Sequence, residues 1–203
     1  HFISNGKLVS LVGVILAGGK SRRMGSDKGL ISYWGKSQHL HCAQLLRPLT
    51  TQLVISLAPG KSTEASVDAL LYDPPDVGGP AAGILAAHRW APQSAVLVLA
   101  VDMPLFGRAD LSQLLVARGK NTDAIAFVNE HGTIEPLASL WEISALHQLE
   151  REVAKGNFSP CRCLESIRCR KLQGRDLALT DVDTPEKLNK IRSTQDLTRH
   201  INS

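Results

Sequence analysis

With 203 residues, 43% of them hydrophobic, the chain can bury one sizeable core, and its length favours one domain over two. A net charge of +4 and a pI near 9.0 suit an anionic ligand without implying nucleic acid: only 4% of residues are aromatic, and these are not interleaved with basic ones as a base-stacking platform requires. No apolar run approaches the ~20 residues of a membrane helix, and the start lacks the basic and then continuously hydrophobic pattern of a secretory leader, so a cytoplasmic protein without membrane contact is expected.

Residues 1–10, which begin with His1, read as a tag remnant or a disordered start, 11–192 as the folded domain and 193–203 as a polar tail. The first predicted strand, 11–17, runs straight into Gly18-Gly19-Lys20-Ser21-Arg22-Arg23-Met24-Gly25-Ser26-Asp27-Lys28. Adjacent glycines let the backbone turn sharply and bring N–H groups close to an anion, while Lys20, Arg22, Arg23 and Lys28 supply the charge that a polyphosphate neutralises. The loop is neither a Walker A loop, which has a glycine five residues before its Gly-Lys-Ser/Thr, nor a dinucleotide fingerprint, whose glycines are spaced rather than adjacent.

A helix is expected over 37–47, a strand over 52–57 and a minor strand near 70–72, just before Asp73. Gly78-Gly79-Pro80 opens a helix over 80–90, because proline at the first helical position forgoes an N–H that has no partner there anyway. The run 95–101 is a buried strand ending at Asp102, where a carboxylate is costly unless paired or metal-bound. Helices at 110–117 and 143–154 alternate with strands at 123–128 and 135–140, followed by a minor strand near 168–172. Thr184-Pro185 caps a last helix. This alternation predicts an α/β protein with a mostly parallel sheet, a single Rossmann-like three-layer α/β/α domain. Cys161, Cys163 and Cys169 lack both the Cys-x-x-Cys gap and a clear fourth ligand, so they read as structural thiols rather than a zinc site; the histidines show no ligand or triad spacing.

The string L-A-G-G-x-x-x-R-M-G-x-D-K at 16–28 resembles the signature loop of nucleotidyltransferases, in particular the molybdenum cofactor guanylyltransferase group. Gly79-Pro80-Ala81-Ala82-Gly83-Ile84, Ala100-Val101-Asp102-Met103-Pro104, the stretch from Glu135-Pro136-Leu137 to Trp141, and Asp181-Val182-Asp183-Thr184-Pro185-Glu186 resemble that family's later motifs in the same order. The resemblance implies a nucleotidyltransferase domain over 11–192 in which Leu16 and Ala17 line the base and ribose. It implies that Gly18 and Gly19 meet the triphosphate, that Arg23 clamps the β- and γ-phosphates, and that Lys28 reaches the α-phosphate as a catalytic cation. Asp102 is implied as the Mg²⁺ ligand, Asp73 and Gly79 as nucleotide contacts, and Glu135, Pro136, Asp181 and Asp183 as the acceptor side. A second metal oxygen from Asp183 stays open. Ser56 stands where the family often has asparagine, which leaves a nucleotide contact there open as well.

The implied reaction transfers GMP from GTP to molybdenum-molybdopterin cofactor with Mg²⁺ as cofactor. Transient partnership with cofactor-synthesis proteins or molybdoenzyme chaperones is implied too. Asp27-Lys28 after Arg-Met-Gly, and the Gly-Pro-x-x-Gly-Ile form of the second motif, resemble the guanylyl branch. A relative using CTP or a sugar-phosphate acceptor is the enzymatic alternative, and a noncatalytic adaptor that holds cofactor for delivery is the alternative from another class.

Overall fold

The run from Leu11 to Leu16 is apolar at consecutive positions, a pattern that suits a strand covered on both faces. The computed structural model describes residues 2–4, 7–18, 36–74, 77–175 and 179. In it β2 (Lys7–Ala17) lies at the centre of the sheet, between β3 (Gln52–Leu57) and β5 (Ser94–Ala100), parallel to both, and it starts four residues before the predicted strand. The short β1 (Phe2–Ser4) folds back antiparallel on its first half. The remaining strands are β4 (Ala69–Tyr72), β6 (Ala124–Val128), β7 (Ile134–Trp141) and β8 (Cys169–Gln173), and the order across the sheet is β4-β3-β2-β5-β7-β6-β8.

Along that order β7 alone runs against the others. The reason is a hairpin. Asn129 Oδ1 accepts from the backbone N–H of His131 (3.0 Å) and Thr133 (2.9 Å), and Gly132 takes a φ of +77°, so the chain reverses in a few residues and inserts β7 between β5 and β6. The consequence is that the start of β7 lies at the same edge of the sheet as the ends of β2, β3, β4 and β5.

Successive side chains of the strands go to opposite faces. Leu11, Ile15, Leu53, Ile55, Leu97 and Leu99 pack on one side with Cys42 and Leu46 of α1 (Gln38–Leu46) and Leu111 and Leu114 of α3 (Arg108–Val116). Val12, Val14, Leu16, Val54, Val96 and Val98 pack on the other with α2 (Pro80–Trp90), α4 (Ile143–Ala154) and α5 (Pro160–Ser166). This is the three-layer arrangement expected. Strand 52–57 and helices 80–90 and 143–154 match their predicted bounds. The seven-residue α5 is an addition, capped by Ser159, whose side chain accepts from Arg162 N, with Pro160 in its first turn. The helix expected after Thr184 lies outside the described residues. Among the described residues no helix is long and apolar enough to cross a membrane.

Candidate active site

Parallel strands joined by helices leave their carboxyl ends on one edge, where open α/β sheets place ligands. Here that edge is drawn together by backbone hydrogen bonds: Val101 N donates to Leu16 O and Asp73 N to Leu57 O, both at 3.1 Å. Leu16 and Ala17 end β2 and Gly18 follows it, Asp73 follows β4, and Asp102 is near the end of β5, two residues after Ala100. Because α1, α2 and α3 each return across the sheet from this edge, their N-termini lie there as well. Gly79 precedes α2 with a φ of +67°, a left-handed conformation that favours glycine, and Pro80 follows in the first turn.

Gly18 and Asp73 touch. A Cβ on Gly18 would overlap Asp73 Oδ2 and stand 2.6 Å from its Cγ, so only glycine leaves the Asp73 carboxylate where it is. Ser56 Oγ donates to Asp73 Oδ1 at 2.5 Å from below, inside β3. Partial burial pushes the Asp73 carboxyl above the usual aspartate range, and the Ser56 hydrogen bond opposes that rise. Gly83, one turn into α2, lets the helix settle on this corner: a Cβ there would meet Leu16 Cδ2 at 2.5 Å and Ser56 Cβ at 3.0 Å.

Asp102 stands on the far side of β2 from Asp73, since the order is β4-β3-β2-β5. Three strand spacings separate the two chains, roughly 14 Å. The carboxylate is half-buried in the turn after β5, where Met103 N donates to Ala100 O and Phe106 N to Met103 O. Its charge reaches Cys42 on α1: burial first, and Asp102 second, push that thiol far above its usual range. Cys42 S–H donates to Ala100 O at 3.9 Å.

Glu135 and Pro136 sit at the start of β7, on this same edge. The pairing of β6 with β7 shifts register between Ala126, opposite Ser139, and Phe127, opposite Glu135, so Pro136, Leu137 and Ala138 form a bulge. Glu135 Oε1 accepts from Leu137 N at 2.8 Å. Underneath, buried Trp141 Nε1 donates to Ser139 Oγ (2.8 Å), which donates to Pro136 O (2.6 Å) and holds the bulge in place.

The structure therefore gathers Leu16, Ala17, Gly18, Asp73, Gly79, Asp102, Glu135 and Pro136 on one edge. Gly19, Arg23, Lys28, Asp181 and Asp183 lie outside the described residues. Sequence reading missed the coupling of Ser56 to Asp73, and the signal was a lone hydroxyl among Leu53, Val54, Ile55 and Leu57, which a buried strand must pair. The clustered cysteines are free, and burial pushes the Cys163 and Cys169 thiols up to about 11.

A mixed sheet in which β7 runs against its neighbours, with a strand-to-glycine corner and two strand-end carboxylates at its carboxyl edge, is an α/β arrangement of the nucleotidyltransferase type. The MobA-like NTP transferase domain matches residues 13–166. The chain belongs to that family and is an enzyme of the nucleotidyltransferase class. It is 31% identical over 188 residues to a molybdenum cofactor guanylyltransferase of Pseudomonas fluorescens, covering 90% of this chain and 94% of that one. To a protein of the same name from Pseudomonas paraeruginosa it is 35% identical over 182 residues, covering 87% and 92%. Molybdopterin-guanine dinucleotide biosynthesis protein A of Archaeoglobus fulgidus shares the fold, with a TM-score of 0.73 at 23% identity over 89% of this chain and 96% of that one.

Proposed function

We propose that this chain transfers GMP from GTP to the terminal phosphate of molybdenum-molybdopterin cofactor, yielding the guanine dinucleotide form of the cofactor and pyrophosphate. The observation that carries the reading is the carboxyl edge itself: the Gly18 corner lies between Asp73 on one side and Asp102 on the other, with the Glu135-Pro136 bulge at the same edge. The curated relatives named for this activity support it.

An oxygen of the acceptor phosphate attacks the α-phosphorus of GTP. The new P–O bond forms as the bond to the bridging β-phosphate oxygen breaks, and that electron pair leaves with pyrophosphate. The protein's task is to orient two anions and to offset charge on the α-phosphoryl and leaving groups. Gly18 and Gly19 bring the backbone close to the triphosphate, Leu16 and Ala17 line the nucleoside, and Asp73 accepts hydrogen bonds from it beside Gly79. Arg23 and Lys28 offset the phosphate charge, Lys28 at the α-phosphate. Glu135, Pro136, Asp181 and Asp183 receive the acceptor.

Asp102 is a hard oxygen donor at a strand end, which fits Mg²⁺, an ion that takes one or two carboxylates and completes its shell with water and substrate phosphates. When bound, that ion neutralises phosphate charge and acts as a Lewis acid.

The test is pyrophosphate release by purified protein with Mg²⁺, molybdenum-loaded molybdopterin and each of GTP, CTP, ATP and UTP. Turnover with GTP alone is expected. Turnover with CTP would move the chain to the cytidylyl branch, and GTP binding without release would leave an adaptor. Asp102→Ala is expected to lower the rate about a thousandfold while thermal unfolding stays as in the wild type.

A further inference from the structure

Ser56 has one hydrogen to donate, and the geometry gives it to Asp73 Oδ1 at 2.5 Å. Its side chain has no exposed surface from which to meet a ligand: the residue is 0% accessible, in register with Leu16 on β2 and Leu71 on β4, with Gly83 of α2 packed over its Cβ. Asp73, by contrast, is partly exposed at the edge. Its other oxygen, Oδ2, lies against the Cα of Gly18.

We propose that Ser56 is a positioning residue, not a nucleotide contact: with Gly18 it holds the Asp73 carboxylate in the single orientation that receives the nucleotide. The proposal rests on the nucleotidyltransfer reading for what Asp73 receives, a ligand edge rich in N–H or O–H donors. It explains why a short hydroxyl residue serves at this place. Gly83, with no side chain of its own, leaves the serine room beneath the helix, from where its hydroxyl reaches the carboxylate. A carboxylate hydrogen-bonded at Oδ1 and confined beside the Gly18 backbone at Oδ2 loses little freedom on binding, so its remaining lone pairs are already oriented. Among the described residues, the balance at Asp73 is struck by burial and by the Ser56 hydroxyl, with no charged side chain entering it.

The experiment pairs two readouts on Ser56→Ala and Ser56→Thr. The first is the titration of the Asp73 side-chain carboxyl carbon by NMR, which needs no turnover. Removing the hydroxyl takes away a hydrogen bond to the charged form, so Asp73 in S56A is expected to titrate at higher pH than in the wild type, and S56T is expected to restore the wild-type curve. The second is nucleotide kinetics, where S56A is expected to raise KM for the nucleotide about tenfold with kcat nearly unchanged. An Asp73 titration in S56A that overlays the wild type would overturn the proposal and leave Ser56 a packing residue. If S56T does not fold, S56C, nearly the same size with a weaker donor, is expected to fall between S56A and the wild type in the titration. Failure of the wild-type protein to bind or consume any nucleotide would remove the nucleotidyltransfer reading, while the titration would still decide whether Ser56 positions Asp73.

Discussion

Asp73 and Asp123 are both partly exposed aspartates at the borders of one sheet, and their surroundings drive them in opposite directions. Asp123 precedes β6 at the amino edge, where Arg168 grips both its oxygens (2.8 and 2.9 Å) and Ser144 Oγ donates to Oδ1 (2.7 Å); these bonds, the arginine's first, hold its carboxyl at about 2. Asp73, at the carboxyl edge, has a serine hydroxyl and a glycine, and burial pushes its carboxyl up. An arginine-gripped carboxylate has its accepting positions occupied by protein. One held from below by a single hydroxyl keeps lone pairs for something else. The aspartate at the amino edge is thus tied up in holding the fold, whereas the one at the carboxyl edge keeps accepting positions that the proposed function gives to a ligand, although both use the same residue types.

The sharpest way to test that division is to strike the amino edge where it is most buried. Arg118, at the end of α3, donates to both oxygens of Glu142 at the β7–α4 junction (2.7 and 2.9 Å), and its side chain is 5% exposed. Arg118→Ala leaves the Glu142 carboxylate largely buried without this partner and is expected to cost about 3 kcal/mol of folding stability, read as a lower denaturant midpoint with an unchanged slope. Turnover per folded molecule is expected to stay at the wild-type value. Normal stability with lost turnover would make the amino edge functional and dissolve the comparison.

At the other edge the expected pattern is reversed. Gly18→Ala puts a methyl group into the space of the Asp73 carboxylate, which must swing away from Ser56. The expected loss is about 30-fold in kcat/KM for the nucleotide, on the order of 2 kcal/mol, with thermal unfolding close to that of the wild type. The double variant with Asp73→Ala makes the reading specific. If displacement of Asp73 is the whole effect, Gly18→Ala costs almost nothing once Asp73 is gone. Additive losses would mean that Gly18 acts on the nucleotide independently.

The division also shows what a one-dimensional reading can reach. The buried strands and the helices at 80–90 and 143–154 were legible because an apolar run bounded by Gly-Pro or by polar turns is a local signal, and Gly18, Asp73 and Asp102 stood out as glycines or carboxylates at strand ends. β7's place between β5 and β6 was not legible: it follows from a five-residue hairpin turn, and only the pairing shows that Glu135 and Pro136 reach the edge that carries Asp102. α5 escaped because seven residues are too few for periodicity and its cysteines drew a thiol reading, although Ser159-Pro160 carries the same start signal as Thr184-Pro185. Ser56 escaped for a different reason. Its partner is 17 positions away, just past the end of another strand, and no local pattern encodes that contact.

The smallest expected effect separates the two aspartates by pH. Arg168→Ala removes the grip on Asp123, but the arginine is 66% exposed and screened by solvent, so the loss at neutral pH is expected to be small, read as a slight lowering of the thermal unfolding temperature. The sign follows from the direction of the shift. A carboxyl whose folded value is lowered contributes stability that is fully present above its unfolded value, here 3.8, and is lost as pH falls toward about 2. Wild type and variant are therefore expected to differ at pH 7, to converge between pH 4 and pH 2, and to unfold together below it. Asp73 behaves oppositely: its raised carboxyl makes the charged form a cost to folding, so Asp73→Asn is not expected to lower stability at pH 7. A constant gap between wild type and Arg168→Ala down to pH 2 would show that Arg168 acts through the packing of its stem on β8 rather than through the Asp123 charge.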